Sequence, residues 1–307
     1  MGSRFKLARA SRPGLGSSGL PSAASLRVPV EQDSPRASPA SRALVVVPTY
    51  DEWENLSRTV RGVLGQAERV QARSGIALEV LVVDDNSPDG TGALADRLRE
   101  EDGRVHVLHR AAKEGLGRAY VAGFRWALER DYAYVLEMDA DGSHDPEALP
   151  QLLAAAEPAD LVLGSRYVPG GGVRHWGLHR RLLSRGGALY ARAVLGLTAH
   201  DPTGGFRVYR SALLRRLLRE ELCAGGYAFQ VELLWRAQVA DASIREVPIV
   251  FTDRRVGQSK LGWGDVWEAI WVPWRLERAR LRGGSRASSS VDLCHGGAPE
   301  TDVPDAQ

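Results

Sequence analysis

No run of about 18 consecutive apolar residues occurs in this chain of 307 residues, so the sequence offers no transmembrane helix. Cysteine is nearly absent. The two present, Cys223 and Cys294, lie far apart and without metal-ligand spacing, which excludes a disulfide framework and fits a reducing compartment. Charge of one sign is not in excess: 40 Lys and Arg stand against 38 Asp and Glu. Nucleic acid is therefore not an expected partner. Lysine is scarce, since only Lys6, Lys113 and Lys260 break the use of arginine as the default cation. The last two stand out as positions that want an ammonium. Several motifs are also missing. There is no Walker A loop, and no G-x-G-x-x-G follows the first expected strand. "KEGLGRA" (113–119) has too few glycines and follows the third strand. P-loop kinases and standard dinucleotide enzymes are excluded. G-x-S-x-G, H-E-x-x-H and C-x-x-C do not occur either.

What is present suits a globular core, with 44% apolar residues. Residues 1–42 are rich in Ser, Ala, Pro and Arg and lack a signal-peptide apolar core. They read as a disordered basic extension, with a transit peptide as the other reading. Residues 283–307 read as a second disordered tail, and no internal repeat is visible. Between them, short β-branched runs at 43–47, 78–83, 104–108, 133–138 and 160–163 alternate with helical patterns such as 90–101 and 115–130. Near-continuous apolar strands alternating with helices predict an α/β fold, a mostly parallel sheet with helices on both faces. Such sheets bind ligands beyond the carboxyl ends of their strands. Four polar clusters fall on that rim: "PTYDEWEN", "DDNSPDGT", "DADGSHDP" and "GSRY".

Carboxylates gathered at one edge repel unless compensated. Asp84-Asp85 and the Asp139-x-Asp141 pair therefore suggest a hard divalent cation, Mg²⁺ or Mn²⁺, shared with substrate phosphate oxygens. A solvated acidic loop is the plainer alternative, and Asp85 has a second use as acceptor from a base or ribose. Asp89-Gly90 reads as a turn and Asp145-Pro146 as a helix start. His144, His175 and His179 are not required by a diphosphate site for such a metal.

Nine blocks occur in order: "VVVPTYDEWENL", "VLVVDDNSPDGT", "KEGLGRAYVAGF", "EMDADGSHDP", "GSRYVPGG", "HRRLLSRGGALYAR", "DPTGGFRVYR", "GYAFQVELLW" and "FTDRRVGQSKLG". Together they resemble the inverting family 2 glycosyltransferases of the GT-A fold, and among those the polyprenol- or dolichol-phosphate mannose synthases. The resemblance spans about residues 43–265 and implies a catalytic domain over 43–261. It implies transfer of mannose from GDP-mannose to a polyprenyl monophosphate. It assigns Pro48, Tyr50, Glu52, Val83 and Asp85 to the guanosine, and Asp139, Ala140 and Asp141 to diphosphate and metal. Arg166, Arg254 and Lys260 become phosphate clamps, and Ser143 a weak third metal ligand. Asp141, Arg166, Arg180 and Ser184 form the set assigned to catalysis. The chemistry is consistent, because an acceptor phosphate is already an anion and needs no base. It does need cations, and guanidinium pairs bidentately with phosphate. Arg180 has an ordinary alternative as a solvated helix arginine. Gly142 departs from the family, which usually has a bulky apolar residue there. Transfer of another hexose to the same lipid and a non-catalytic nucleotide-sugar-binding protein are the rivals. A polysaccharide synthase is disfavoured by the lack of a Q-x-x-R-W block.

Residues 262–282 hold four of the eight tryptophans, Trp263, Trp267, Trp271 and Trp274, followed by Arg275, Arg278, Arg280 and Arg282. Spacings of 4, 4 and 3 put the rings on one helical face, with Pro273 expected to kink or interrupt the helix. Rings beside arginines suit a bilayer interface. Packing on the catalytic domain is the other use, and it falls first to the rings nearest Lys260. The protein is thus expected to be peripheral, on the membrane surface or on a membrane-anchored partner. The arginine bias fits a GC-rich bacterial genome and so the cytoplasmic face. Tyr227, Phe229, Val231, Leu234 and Trp235, around Glu232, read as core.

Overall fold

The computed structural model describes residues 41–253 and 263–283. Residues 1–40 of the extension expected over 1–42, residues 284–307 of the tail expected over 283–307, Arg254 and Lys260 fall outside the described residues, whereas Arg42 opens the first strand and Gly283 closes the last helix.

The first strand, β1 (Arg42–Thr49), explains the layering. Its alternate residues face opposite sides, yet both sides are apolar. Ala43, Val45 and Val47 enter one core, and Leu44 and Val46 enter the other. A strand buried on both faces needs helices on both. From β1 the chain runs through α1 (Trp53–Leu64) and α2 (Ala67–Ser74) into β2 (Ala77–Asp84). It continues through α3 (Thr91–Glu101) into β3 (Val105–His109), and through α4 (Leu116–Leu128) into β4 (Tyr134–Glu137). A 3-10 turn at Pro146–Ala148 opens α5 (Leu149–Ala156), which leads to β5 (Leu161–Ser165). As expected, Asp145 and Pro146 start it: the Asp145 carboxylate accepts from the Glu147 N–H at 3.0 Å. Then come β6 (Gly172–Arg174), α6 (Leu178–Leu195), β7 (Arg207–Arg210), α7 (Ser211–Leu217) and α8 (Phe229–Val239). Next are β8 (Ile244–Pro248), β9 (Val250–Thr252) and α9 (Trp263–Gly283).

Seven strands form one sheet in the order β3-β2-β1-β4-β7-β5-β8, and β6 pairs with β9 in a second. In the large sheet only β7 is antiparallel, inserted between β4 and β5. The sequence reading does not single it out, because RVYR is short and carries two arginines. Helices α1, α2, α3 and α5 cover one face, and α4, α7 and α8 the other, with α9 adding Val272 and Leu276. The carboxyl ends of β1, β2, β4 and β5 share one rim, which is where the polar clusters were expected.

Helix α9 corrects two expectations. Pro273 does not interrupt it, since the helix continues from Trp263 to Gly283. Trp267, the described ring nearest Lys260, is the most exposed of its stripe at 59%, with Trp271 at 54% and Trp274 at 47%. The opposite edge is inward: Val272 and Leu276 are buried. The ring of Trp263 lies outside the described side chains.

Candidate active site

A cavity of about 210 Å³ opens at the rim, lined by fourteen residues. It brings together Pro48, Tyr50, Glu52, Asp85, Asp139, Ala140 and Asp141 from three separate strand ends. Lys113, Gly115, Leu116, Gly226 and Tyr227 join them. Tyr227, expected in the core, is thus a wall of the cavity, while Phe229, Leu234 and Trp235 are core as expected. Lys113 sits 4.1 Å from the centre of the Tyr50 ring. Its rarity in the sequence was the one signal that pointed to it. Val83 is not brought to the cavity. Its side chain is fully buried in the core, and its carbonyl accepts from Thr49 Oγ1 at 3.3 Å.

The rim aspartates divide by role. Asp84 turns inward and braces its own loop, accepting from Ser87 Oγ at 2.6 Å. Asp89 does the same for the next turn, accepting from Thr91 N and Oγ1 at 3.0 and 2.6 Å. Asp85 faces the cavity and accepts from Arg110 Nη1 at 2.6 Å. Burial raises its pKa, against the charge of Arg110. Asp139 accepts from Tyr120 OH at 2.9 Å, and burial together with that carboxylate pushes the Tyr120 hydroxyl pKa well up.

The loop after β4 is tied on several sides. Ala140 O accepts from Thr59 Oγ1 of α1 at 2.8 Å, and Asp141 Oδ1 from Ser143 N at 3.0 Å. Gly142 has φ 74°, and a Cβ there would come within 3.1 Å of Arg58 Nη2. A left-handed backbone and this close approach account for a glycine at the position. His144 Nδ1 accepts from the Asp139 N–H at 3.1 Å, so the ring is neutral with its proton on Nε2. Burial lowers its pKa in the same direction. Behind the loop, Glu137 is fully buried, and burial pushes its pKa up to about 7 against the charge of Arg207 and a hydrogen bond from Gln230.

The donor set fits a hard divalent cation that arrives with a diphosphate. Asp139 and Asp141 both line the cavity, and the buried Ser143 Oγ has no hydrogen-bond partner. Among the described residues no group of three His, Cys, Asp or Glu forms a closed metal cage. Small hard cations commonly use one or two carboxylates and complete their shell with water and substrate phosphate.

Arg166, Arg180 and Ser184 lie in a second cluster. It joins the loop through His144, whose ring stacks on Phe206 at 4.9 Å and meets Phe251 edge-on at 5.5 Å. Arg166 Cζ lies 5.6 Å from the Phe251 ring. The two arginines differ in freedom. Arg166 is buried, and its Nε and Nη2 donate to Asp201 at 2.7 and 2.6 Å. Burial disfavours its charge, but the hydrogen bonds and charge of Asp201 outweigh that and raise its pKa. A clamp role is left only to the part of its fork that Asp201 does not hold. Arg180 donates to Asp253 at 2.5 Å across a partly exposed pair, and its Cζ lies 4.4 Å from the Trp176 ring. Such a pair is weak and can change partners. Ser184 Oγ lies 2.7 Å from Tyr167 OH. Sequence reasoning missed Asp201 and Asp253, since nothing local marks them as partners of these arginines.

Comparison with known proteins gives the family and the fold. The model of the family "Glycosyl transferase family 2" matches residues 44–218. The chain is 47% identical over 257 residues to the polyprenol monophosphomannose synthase of Mycolicibacterium smegmatis, covering 81% of this chain and 94% of that protein. It is 48% identical over 248 residues to the undecaprenyl-phosphate mannosyltransferase of Micrococcus luteus, covering 78% and 99%. A solved structure of glucosyl-3-phosphoglycerate synthase from Mycobacterium tuberculosis, with Mn²⁺, UDP-glucose and phosphoglyceric acid, superposes with a TM-score of 0.53 at 18% identity. That match covers 78% of this chain and 79% of the other, and it shows the shared GT-A fold. The family match over most of the folded chain and the two close relatives together establish that this protein belongs to glycosyl transferase family 2.

Proposed function

We propose that the protein transfers mannose from GDP-mannose to a polyprenyl monophosphate, with inversion at the anomeric carbon. The observation that carries this reading is the rim cavity. There Asp85, Lys113 and the Asp139–Asp141 pair converge from different strands, in a chain whose relatives are named polyprenyl-phosphate mannosyltransferases. Tyr50 and Asp85 suit a nucleoside, the first as a face to stack on and the second as an acceptor. Asp139 and Asp141 would hold Mg²⁺ or Mn²⁺, which supplies charge neutralisation on the diphosphate. In the transfer, an acceptor phosphate oxygen forms the new bond to the anomeric carbon. The bond from that carbon to the diphosphate breaks, and GDP leaves with the electron pair. Attack from the side opposite the leaving group inverts the centre and needs no protein nucleophile. Arg180 is suited to the acceptor phosphate, because its present partner Asp253 is partly exposed and displaceable. Arg254 and Lys260 belong to the same proposal as phosphate cations.

The lipid acceptor calls for a surface at the bilayer. The outer face of α9, with Trp267, Ile270, Trp271 and Trp274, is exposed and apolar. Helix α6 lies against α9, where Tyr190 OH donates to Ile270 O at 2.7 Å, and it exposes Leu178, Leu182, Leu183 and Leu189. These two faces support peripheral docking on a bilayer surface, and the cytoplasmic face belongs to the same proposal. No described helix is long and apolar enough to cross a membrane. The test is purified protein with labelled GDP-mannose and polyprenyl phosphate, and UDP-glucose as control. A labelled lipid product from GDP-mannose supports the reading, and product from UDP-glucose alone overturns the donor.

A further inference from the structure

Four consecutive backbone amides beside the cavity donate to two glutamates. Cys223 N and Ala224 N donate to Glu232 Oε1 and Oε2 at 3.0 and 2.9 Å. Gly225 N and Gly226 N donate to Glu268 Oε1 and Oε2 at 2.8 and 2.9 Å. Glu232 belongs to the buried core of α8 and is also held by Arg236 Nη2 at 2.7 Å. Glu268 is different, because it comes from α9. Its carboxylate reaches a loop whose next residues, Gly226 and Tyr227, are walls of the cavity. On its other side the loop touches α4: Gly117 N donates to Gly225 O at 3.0 Å. The approach is close there, since a Cβ on Gly115 (φ 106°) would sit 2.7 Å from that carbonyl. Two successive glycines have no side chains to anchor them and the widest backbone freedom of any residues. What fixes them is the pair of carboxylate contacts from α9 and the close seat against α4.

Helix α9 has two faces at helical spacing. Glu268, Val272 and Leu276 follow at intervals of four and face the body of the protein. Trp267, Ile270, Trp271 and Trp274 face outward, and the Trp267 and Trp271 rings stack at 6.3 Å. One continuous helix therefore holds the cavity wall on one side and presents an aromatic surface on the other.

We infer that Glu268 is a positioning residue for nucleotide-sugar binding, and that through it contacts made by the outer face of α9 are thermodynamically linked to occupancy of the cavity. The inference rests on the reading of the cavity as the nucleotide-sugar site. Linkage is reciprocal: a bilayer that steadies α9 tightens donor binding, and bound donor tightens attachment to the bilayer.

The experiment compares the parent protein, Glu268→Ala and Glu268→Gln. Calorimetry gives GDP-mannose affinity with and without anionic phosphatidylglycerol vesicles, and steady-state rates give donor KM and kcat separately. Glu268→Ala is expected to lose about tenfold in donor affinity, within the roughly 5–150-fold range of coupled sites, and to lose the vesicle effect. Its kcat at saturating donor should stay within about twofold, because coupling acts on binding. Glu268→Gln keeps one acceptor oxygen and is expected to lie between the two. Circular dichroism checks folding, and if Glu268→Ala does not fold, the glutamine variant decides alone. A folded variant with parental donor affinity overturns the positioning role. A parent whose donor affinity ignores the vesicles overturns the linkage. A parent that binds no GDP-mannose overturns the donor reading itself and takes this inference with it, a result distinct from the other two.

Discussion

Asp201→Ala is expected to be among the most damaging single changes in the catalytic domain, and its size follows from burial. The Asp201 carboxylate is fully buried and accepts three bonds from Arg166, from its N, Nε and Nη2, at 2.9, 2.7 and 2.6 Å. Among the described side chains, Arg166 keeps a hydrogen bond to Thr203 Oγ1, at 2.9 Å, and no carboxylate once Asp201 is gone. Breaking a buried pair by removing one partner typically costs about 3–5 kcal/mol, because the remaining charge is desolvated and unpaired. At about 2–4 °C per kcal/mol for a domain near this size, the melting temperature should fall by roughly 6–20 °C. Asp253→Ala is the matched control. It breaks an arginine–carboxylate contact of similar length, Arg180–Asp253 at 2.5 Å, but the two side chains are 38% and 31% exposed. That change should cost only about 0–1 kcal/mol. Urea denaturation followed by tryptophan fluorescence and by circular dichroism measures both. The double variant Arg166→Met with Asp201→Ala should recover most of the loss, since it removes the stranded charge. Equal losses for Asp201→Ala and Asp253→Ala, or a double variant no better than the single, would refute the claim that burial decides.

The titration of Glu137 gives a pH test. Its folded pKa of about 7 lies above its ordinary 4.5, so the folded state holds the extra proton between those values. The stability it contributes is full below about 4.5 and is lost as pH rises through about 7. Urea midpoints should therefore fall over that window in the parent and flatten in Glu137→Gln; parallel slopes would sink the assignment. Asp139→Ala and Asp141→Ala should each abolish transfer while circular dichroism stays parental, and near-normal turnover of either variant in excess chelator would remove the metal proposal. Arg180→Ala should raise the acceptor KM by roughly ten- to more than a hundredfold, the equivalent of about 1.5–3 kcal/mol for a charge-assisted contact. Loss of GDP-mannose affinity with an unchanged acceptor KM would move Arg180 to the donor side. Replacing Trp271 and Trp274 by Ala should weaken sedimentation with vesicles at any salt, whereas Arg275→Gln with Arg278→Gln should remove only the salt-sensitive part. Folded variants that bind like the parent would rule out the α9 face as the anchor.

Sequence by itself determined the local and the periodic. Runs such as LVVV in β1 are apolar at every position, so both faces had to be covered, and the parallel sheet followed. Acids placed just after those runs had to meet at one rim, and Asp85, Asp139 and Asp141 do. The helix start at Asp145-Pro146 was legible for the same reason, since a cap acts within two residues. Tertiary structure alone decided which charges meet. Arg166 and Asp201 are 35 positions apart, and Arg180 and Asp253 are 73 apart. No periodicity encodes such partners, because an ion pair depends on where separate elements are brought by packing. The same holds for Tyr227, which lines the cavity while Ala228 and Phe229 after it are core, and for Glu268, whose ligands are amides 43 and 42 residues away. On α9 the spacing of the tryptophans fixed that they share a face. Only the packing of Val272 and Leu276 into the core decided that this face looks outward.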